Sequence, residues 1–272
     1  MEYLTYVPPP PLDGFIEQLW YWRSESADHA KDTIMASRHM GLQVNLAGDE
    51  LRWYDGEGFA TTNRLRGIGL CGTQGRHFAI DAHHPHMLGV QFRPGGAWPF
   101  FGPPARDLRN SHVSLADIWG ASAHSLHAQL VEAPTPREKF RIMLDALVAR
   151  APRDLAHHPA VALALSCFAR APLSASVRRT AEMAELSQKK FIRLFADEVG
   201  LTPKLFLRVT RFQRLLGRVW QSAQVDWAPV AAAHGYYDQP HLIRDFREFS
   251  GFTPGEYLRR RGPYQQHVPL PS

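Results

Sequence analysis

The sequence predicts an α+β protein: a β-rich first half with a helical appendage, then an all-α second half. Three observations carry this prediction. Short runs of alternating or continuous apolar residues, separated by Gly-rich turns, fill the first hundred positions. From Ser114 onward the apolar spacing becomes helical. Finally, Ser187–Leu207 recurs, without gaps, as Asp238–Leu258.

In chain order, Pro8–Pro11 is an extended lead-in, and Phe15–Tyr21 is compatible with a strand or a short helix. Leu42–Leu46 alternates apolar and polar residues, turns through Ala47–Glu50 and continues into Leu51–Tyr54. Gly67–Gly72 and His86–Phe92 are further strand candidates, so a small barrel or sandwich is expected. Ser114 with Asp117 could form a capping box opening a helix toward Ala133. Thr135-Pro136-Arg137-Glu138 is a stronger helix start, and Phe140, Leu144, Leu147 and Val148 would share its buried face. These patterns divide the chain into a β-rich domain at 1–150, a linker at 151–158, an all-α domain at 159–265 and a tail at 266–272.

The 272 residues are 44% hydrophobic, enough for two cores. No run of eighteen apolar residues occurs, and the first residues lack a leader's basic and apolar segments, so a cytoplasmic protein without a membrane span is expected. Cys71 and Cys167 stand apart, which suits a reducing compartment. Charge is partitioned: from Ala151 onward 17 Lys and Arg oppose 10 Asp and Glu, whereas residues 1–150 hold 14 against 16. A cationic second half suggests a polyanion as its partner.

The duplicated stretches match at eight of 21 positions, including Gln188/Gln239, Arg193/Arg244, Phe195/Phe246, Gly200/Gly251 and Pro203/Pro254. Each copy follows a short Ala-rich segment, with Ala181 and Ala184 in one and Ala231 and Ala232 in the other. Ser187 and Asp238 are good N-caps, so each unit spells helix, tight turn, helix. The copies are joined by Lys204–Gln224, whose Leu205, Leu207, Val209, Phe212, Leu215, Leu216 and Val219 fit one long helix. A helix of about twenty residues spans roughly 30 Å, near the 34 Å or so between successive major grooves on one side of a duplex.

"AHGYYDQPHLIRDFREFSGFTPGEY" (233–257) resembles the signature of the AraC/XylS family of bacterial transcription regulators. The resemblance covers roughly Pro159–Leu258 and implies a DNA-binding domain with two helix-turn-helix motifs. By position it points to Lys189, Ile192, Arg193, Gln239, Pro240, Ile243 and Arg244 as base-reading residues. The chemistry agrees: Arg193 and Arg244 can donate to guanine, and Gln239 suits adenine. Gln188, Lys190, Arg208, Arg211 and His241 are expected at phosphates, where contacts position without specifying. Lys189, Lys190 and Ile192 depart from the usual reading residues, leaving the first motif's base preference open.

"VQFRPGGAWPFFGPPARDL" (90–108) and "VSLADIWG" (113–120) likewise resemble the sensor half of some members, which implies a cupin-like domain that binds a small effector or mediates homodimerisation. Double-stranded DNA is thus the expected partner, with RNA polymerase joining it if the protein activates. Trp20, Trp22, Trp53, Phe92 and Trp98 are the candidate effector pocket. The alternative reading is a metal-dependent cupin-type enzyme fused to a DNA-binding tail. It rests on His77, His83, His84 and His86, but the first acidic residue beyond them is Asp107. No Gly-rich phosphate loop or Gly-x-Ser-x-Gly elbow occurs, so no cofactor, metal or catalytic residue is assigned.

Overall fold

A computed structural model describes residues 2–24, 31–82 and 86–270. The first part is two antiparallel sheets. Its strands are β1 (Glu2–Tyr6), β2 (Ile16–Arg23), β3 (Lys31–Ile34), β4 (Gly41–Asn45), β5 (Glu50–Asp55), β6 (Thr61–Arg66), β7 (Ile68–Cys71), β8 (Phe78–Asp81), β9 (His86–Phe92) and β10 (His112–Ser114). One sheet runs β1-β2-β9-β4-β7-β10. The other runs β3-β8-β5-β6, with a fifth strand, β11 (His267–Pro269), on the outer edge of β3.

Period-2 patterning decides the faces of the larger sheet. Leu19, Leu42, Val44, Leu70, Leu88 and Val90 are buried in one core with four helices. These are α1 (Trp98–Phe101), α2 (Ala116–Trp119), α3 (Ala121–Glu132) and α4 (Pro136–Val148). Trp20, on the alternate face, lies across Gly89; a Cβ there would come within 2.3 Å of the indole. α4 opens as the sequence predicts, with Thr135 accepting from the Glu138 amide at 3.3 Å and Pro136 in the first turn. Lys139 is 4% exposed because its ammonium donates to the carbonyls of Leu130, Val131 and Ala133, capping the end of α3.

The second part is seven helices: α5 (Pro159–Arg170), α6 (Val177–Met183), α7 (Gln188–Val199), α8 (Pro203–Val219), α9 (Trp227–Ala233), α10 (Gln239–Ser250) and α11 (Pro254–Arg260). Phe168, Phe191, Phe195, Phe212, Phe246, Phe249 and Tyr257 form its core, each at most 1% exposed.

Several expectations need correction. Ser114 ends a strand rather than capping a long helix, and Gly120 (φ 60°) separates α2 from α3. The buried face of α4 is Phe140, Met143 and Leu147, while Val148 is 54% exposed. The short or polar strands β1, β3, β6, β8 and β10 gave no clear apolar alternation in the sequence. The expected tail at 266–272 contains β11, paired with β3 through Val268 opposite Thr33, and Val268 is fully buried. The expected linker is docked as well: Leu155 packs on the first core, and His157 stacks on Phe15 with ring centroids 4.7 Å apart. His157 also hydrogen-bonds the buried Glu198 of α7.

Candidate nucleic-acid interface

Two helix pairs, α6–α7 and α9–α10, repeat one local design. In each, the first helix ends in a left-handed residue, Glu185 (φ 55°) or Gly235 (φ 72°). The next amide then reaches back to a carbonyl five residues earlier, Leu186 to Ala181 and Tyr236 to Ala231, both at 3.0 Å. The buried Ala181 and Ala231, each 1% exposed, allow the close helix approach that the sequence implied. The second helices are capped by side chains, Ser187 to the Lys190 amide at 3.3 Å and Asp238 to the His241 amide at 2.8 Å. Both terminate at left-handed glycines, Gly200 (φ 90°) and Gly251 (φ 81°), after which Thr202-Pro203 and Thr253-Pro254 start the next helices.

The outer faces of the two second helices carry the expected residues. Gln188, Lys189, Lys190 and Arg193 are exposed on α7, and Gln239, Pro240 and Arg244 on α10. Ile192 is half-buried, and Ile243 packs partly against the core. Arg193 lies 3.8 Å from Asp197 one turn along, with its side chain 77% exposed. His241 is partly buried against the Tyr236 ring. Arg211 covers the other part of that tyrosine, its guanidinium 5.2 Å from the ring centroid.

Arg208 departs from its expected place at a phosphate. It bridges α8 to α10, donating to Asp245 at 2.7 Å and Glu248 at 2.6 Å while lying over the Phe249 ring. Burial opposes its charge, but hydrogen bonds to the Glu248 and Asp245 carboxylates outweigh this and raise its pKa. Its carboxylate partners lie 37 and 40 residues further along the chain, a pairing that sequence spacing cannot reveal. Sequence reasoning also passed over Tyr237, which is 94% exposed immediately before the Asp238 cap. The available signal was a second aromatic in Tyr236-Tyr237 with no place in the helical core pattern.

α8, the rod between the motifs, is 17 residues long. At 1.5 Å per residue that is about 25 Å, shorter than the 34 Å or so between grooves. Simultaneous reading of both grooves therefore needs outward tilt of the readers or curvature of the duplex to supply the difference.

The proposed pocket aromatics are dispersed. Phe92 is a fully buried core residue packed on Phe100 and Phe101. Trp22 meets Tyr3 and Tyr264, Trp53 meets His112, and Trp98 lines a shallow groove with Pro99, Arg150 and Pro152. Of the candidate metal-site histidines, His77 packs against α10, His86 meets the Tyr21 ring, and His83 and His84 lie outside the described residues. Among the described residues no three His, Cys, Asp or Glu side chains group as a metal site. No described helix is long and apolar enough to cross a membrane.

The matched helix-turn-helix family agrees with the geometry of α6–α7 and α9–α10. Residues 180–260 match a helix-turn-helix domain family, and residues 4–114 match a domain of unknown function (DUF6597). An uncharacterized HTH-type transcriptional regulator of Haemophilus influenzae is 31% identical over 83 residues, covering 30% of this chain and 28% of that protein. Among solved structures, ToxT from Vibrio cholerae aligns over 95% of this chain and 98% of its own, at 8% identity and TM-score 0.47. The C-terminal domain of AraT, a response regulator from Geobacillus stearothermophilus, aligns over 40% of this chain and 92% of its own, at 20% identity and TM-score 0.35. By the tandem motifs and the matched domain family, residues 180–260 form a helix-turn-helix domain, similar over 83 residues to part of the Haemophilus influenzae regulator.

Proposed function

We propose that the protein is a sequence-specific DNA-binding transcription regulator whose two reading helices, α7 and α10, address neighbouring major grooves. The observation that carries this reading is the pair of side-chain-capped helices with exposed N-terminal faces, joined by one continuous rod. Lys189, Ile192 and Arg193, with Gln239, Pro240, Ile243 and Arg244, take the base-reading role; the arginines suit guanine and Gln239 suits adenine. Gln188, Lys190, Arg211 and His241 take phosphates, and Tyr237 joins them through its exposed hydroxyl. Arg208 is assigned instead to holding α10 on α8.

The β domain takes the sensor role, binding a small-molecule effector or mediating homodimerisation, and RNA polymerase is a further partner of the protein if it activates. Its cytoplasmic location follows from the same role. The test is a selection from random duplexes, followed by footprinting of the chosen site at several salt concentrations. Two protected patches one helical turn apart, with affinity falling steeply as salt rises, are expected. A single patch, or no binding to duplex at low salt, would refute the two-groove reading.

A further inference from the structure

The glycines that end the two reading helices are pressed against the β domain. A Cβ at Gly200 would lie 2.5 Å from the Thr73 hydroxyl, and one at Gly251 would lie 2.8 Å from Nε2 of His77. Thr73 and His77 belong to one short loop between β7 and β8. That loop is pinned at several points. The Gly72 amide donates to Ser111 at 3.0 Å, and the Asn110 amide to Thr73 at 2.9 Å. The Asn110 side chain accepts from Gly75 at 2.7 Å, and Ser37 and Gln74 exchange two hydrogen bonds at 2.8 Å.

From this anchored loop, Thr73 abuts the end of α7. His77 abuts the end of α10 and contacts the Glu248 carbonyl through Nδ1 at 3.3 Å. The Ala36 amide adds a bond to the Phe249 carbonyl at 2.9 Å on the same side. The reading ends of both helices, one helix length away, stay exposed. A displacement at these C-terminal caps is therefore transmitted along each rigid helix to its reading end.

We propose that Thr73 and His77 are positioning residues through which the β domain fixes the two reading helices relative to each other, and so sets the half-site spacing that the full chain accepts. This rests on the two-groove reading, with a role for the β domain beyond tethering. A loop that touched only one motif could tilt that motif; a loop wedged against both defines the separation between them.

Two measurements test it in the full chain. The first needs no DNA: spin labels at Lys189→Cys and Gln239→Cys, with Cys71 left in place and Cys167→Ser, report the distance between the reading ends. A narrow distribution is expected in the parent, a broad or shifted one on adding His77→Ala, and recovery of the narrow one with His77→Gln, which can again meet the Glu248 carbonyl. An unchanged distribution in the alanine variant overturns the proposal.

The second uses duplexes selected by the wild-type chain, with half-sites moved apart or together by one base pair. His77→Ala should lose the preference for the native spacing by about fivefold or more, while affinity for an isolated half-site stays the same. Retained spacing preference, or equal loss on every duplex, also overturns it. If the parent chain binds no duplex, the two-groove reading fails, and the label distances still decide whether the loop holds the helices.

Discussion

Arg208 offers the sharpest contrast between what its position along the sequence suggests and where folding puts it. As a phosphate ligand, its loss would leave stability untouched and lower the salt dependence of DNA binding by about one unit of slope. As the observed strut, its loss strands Asp245, a carboxylate only 2% exposed, beside the solvent-facing Glu248. Removing one partner of a buried ion pair costs about 3–5 kcal/mol. Because the Arg208 side chain is 28% exposed and Glu248 45%, solvent screens part of this, and about 2–3 kcal/mol is the expected cost of Arg208→Met.

Thermal unfolding should then show a drop of roughly 5 °C or more. Arg208→Met combined with Asp245→Leu should recover most of it, since an apolar replacement of the whole pair leaves no buried charge without a partner. A single variant with unchanged melting but a reduced salt slope would refute the strut and restore the phosphate role. Additive losses in the double variant would refute the coupling.

Three further outcomes are expected. Arg244→Ala should cost about 1–3 kcal/mol on the selected site and relax base preference there, whereas Lys190→Ala should weaken all duplexes alike; competition binding with single-base variants separates the two. Ending the chain after Gly262 removes β11 with the fully buried Val268, so denaturant unfolding should show a loss of about 2 kcal/mol, and an unchanged midpoint would count against the docked strand. Burial pushes His112, which sits 3.2 Å from the Cys71 sulfur, down to about 4. Between the ordinary imidazole value and that one the unfolded chain binds a proton that the folded chain refuses, so stability should fall as pH drops through this window. His112→Gln should flatten that part of a pH–stability curve, and an unaltered slope would show that the group does not contribute.

Much of the reader was legible in the sequence because its signals are local. Ser187, Asp238, Thr202 and Thr253 cap by accepting from the amide three residues ahead, and Gly200 and Gly251 answer a backbone requirement at their own positions. Strands β4, β5, β7 and β9 were readable from apolar runs, whereas β3 was not: its Asp32 and Thr33 are polar and buried by neighbours far along the chain. The candidate pocket failed for a related reason. Aromatic identity is visible in a sequence, but strand parity and sheet order sent Phe92 into the helix-packed core and Trp22 toward Tyr264.

The sequence by itself determined the elements of the C-terminal domain, the duplication, the cationic excess and the outward faces of α7 and α10, because helix caps and apolar periodicity act within a few residues. Tertiary structure alone decided that Arg208 bridges α8 to α10, that the last strand joins the first domain's sheet, and that one loop abuts the ends of both α7 and α10. Those outcomes depend on groups separated by 37 to 235 residues, brought together by burial of two cores whose relative placement no local pattern encodes.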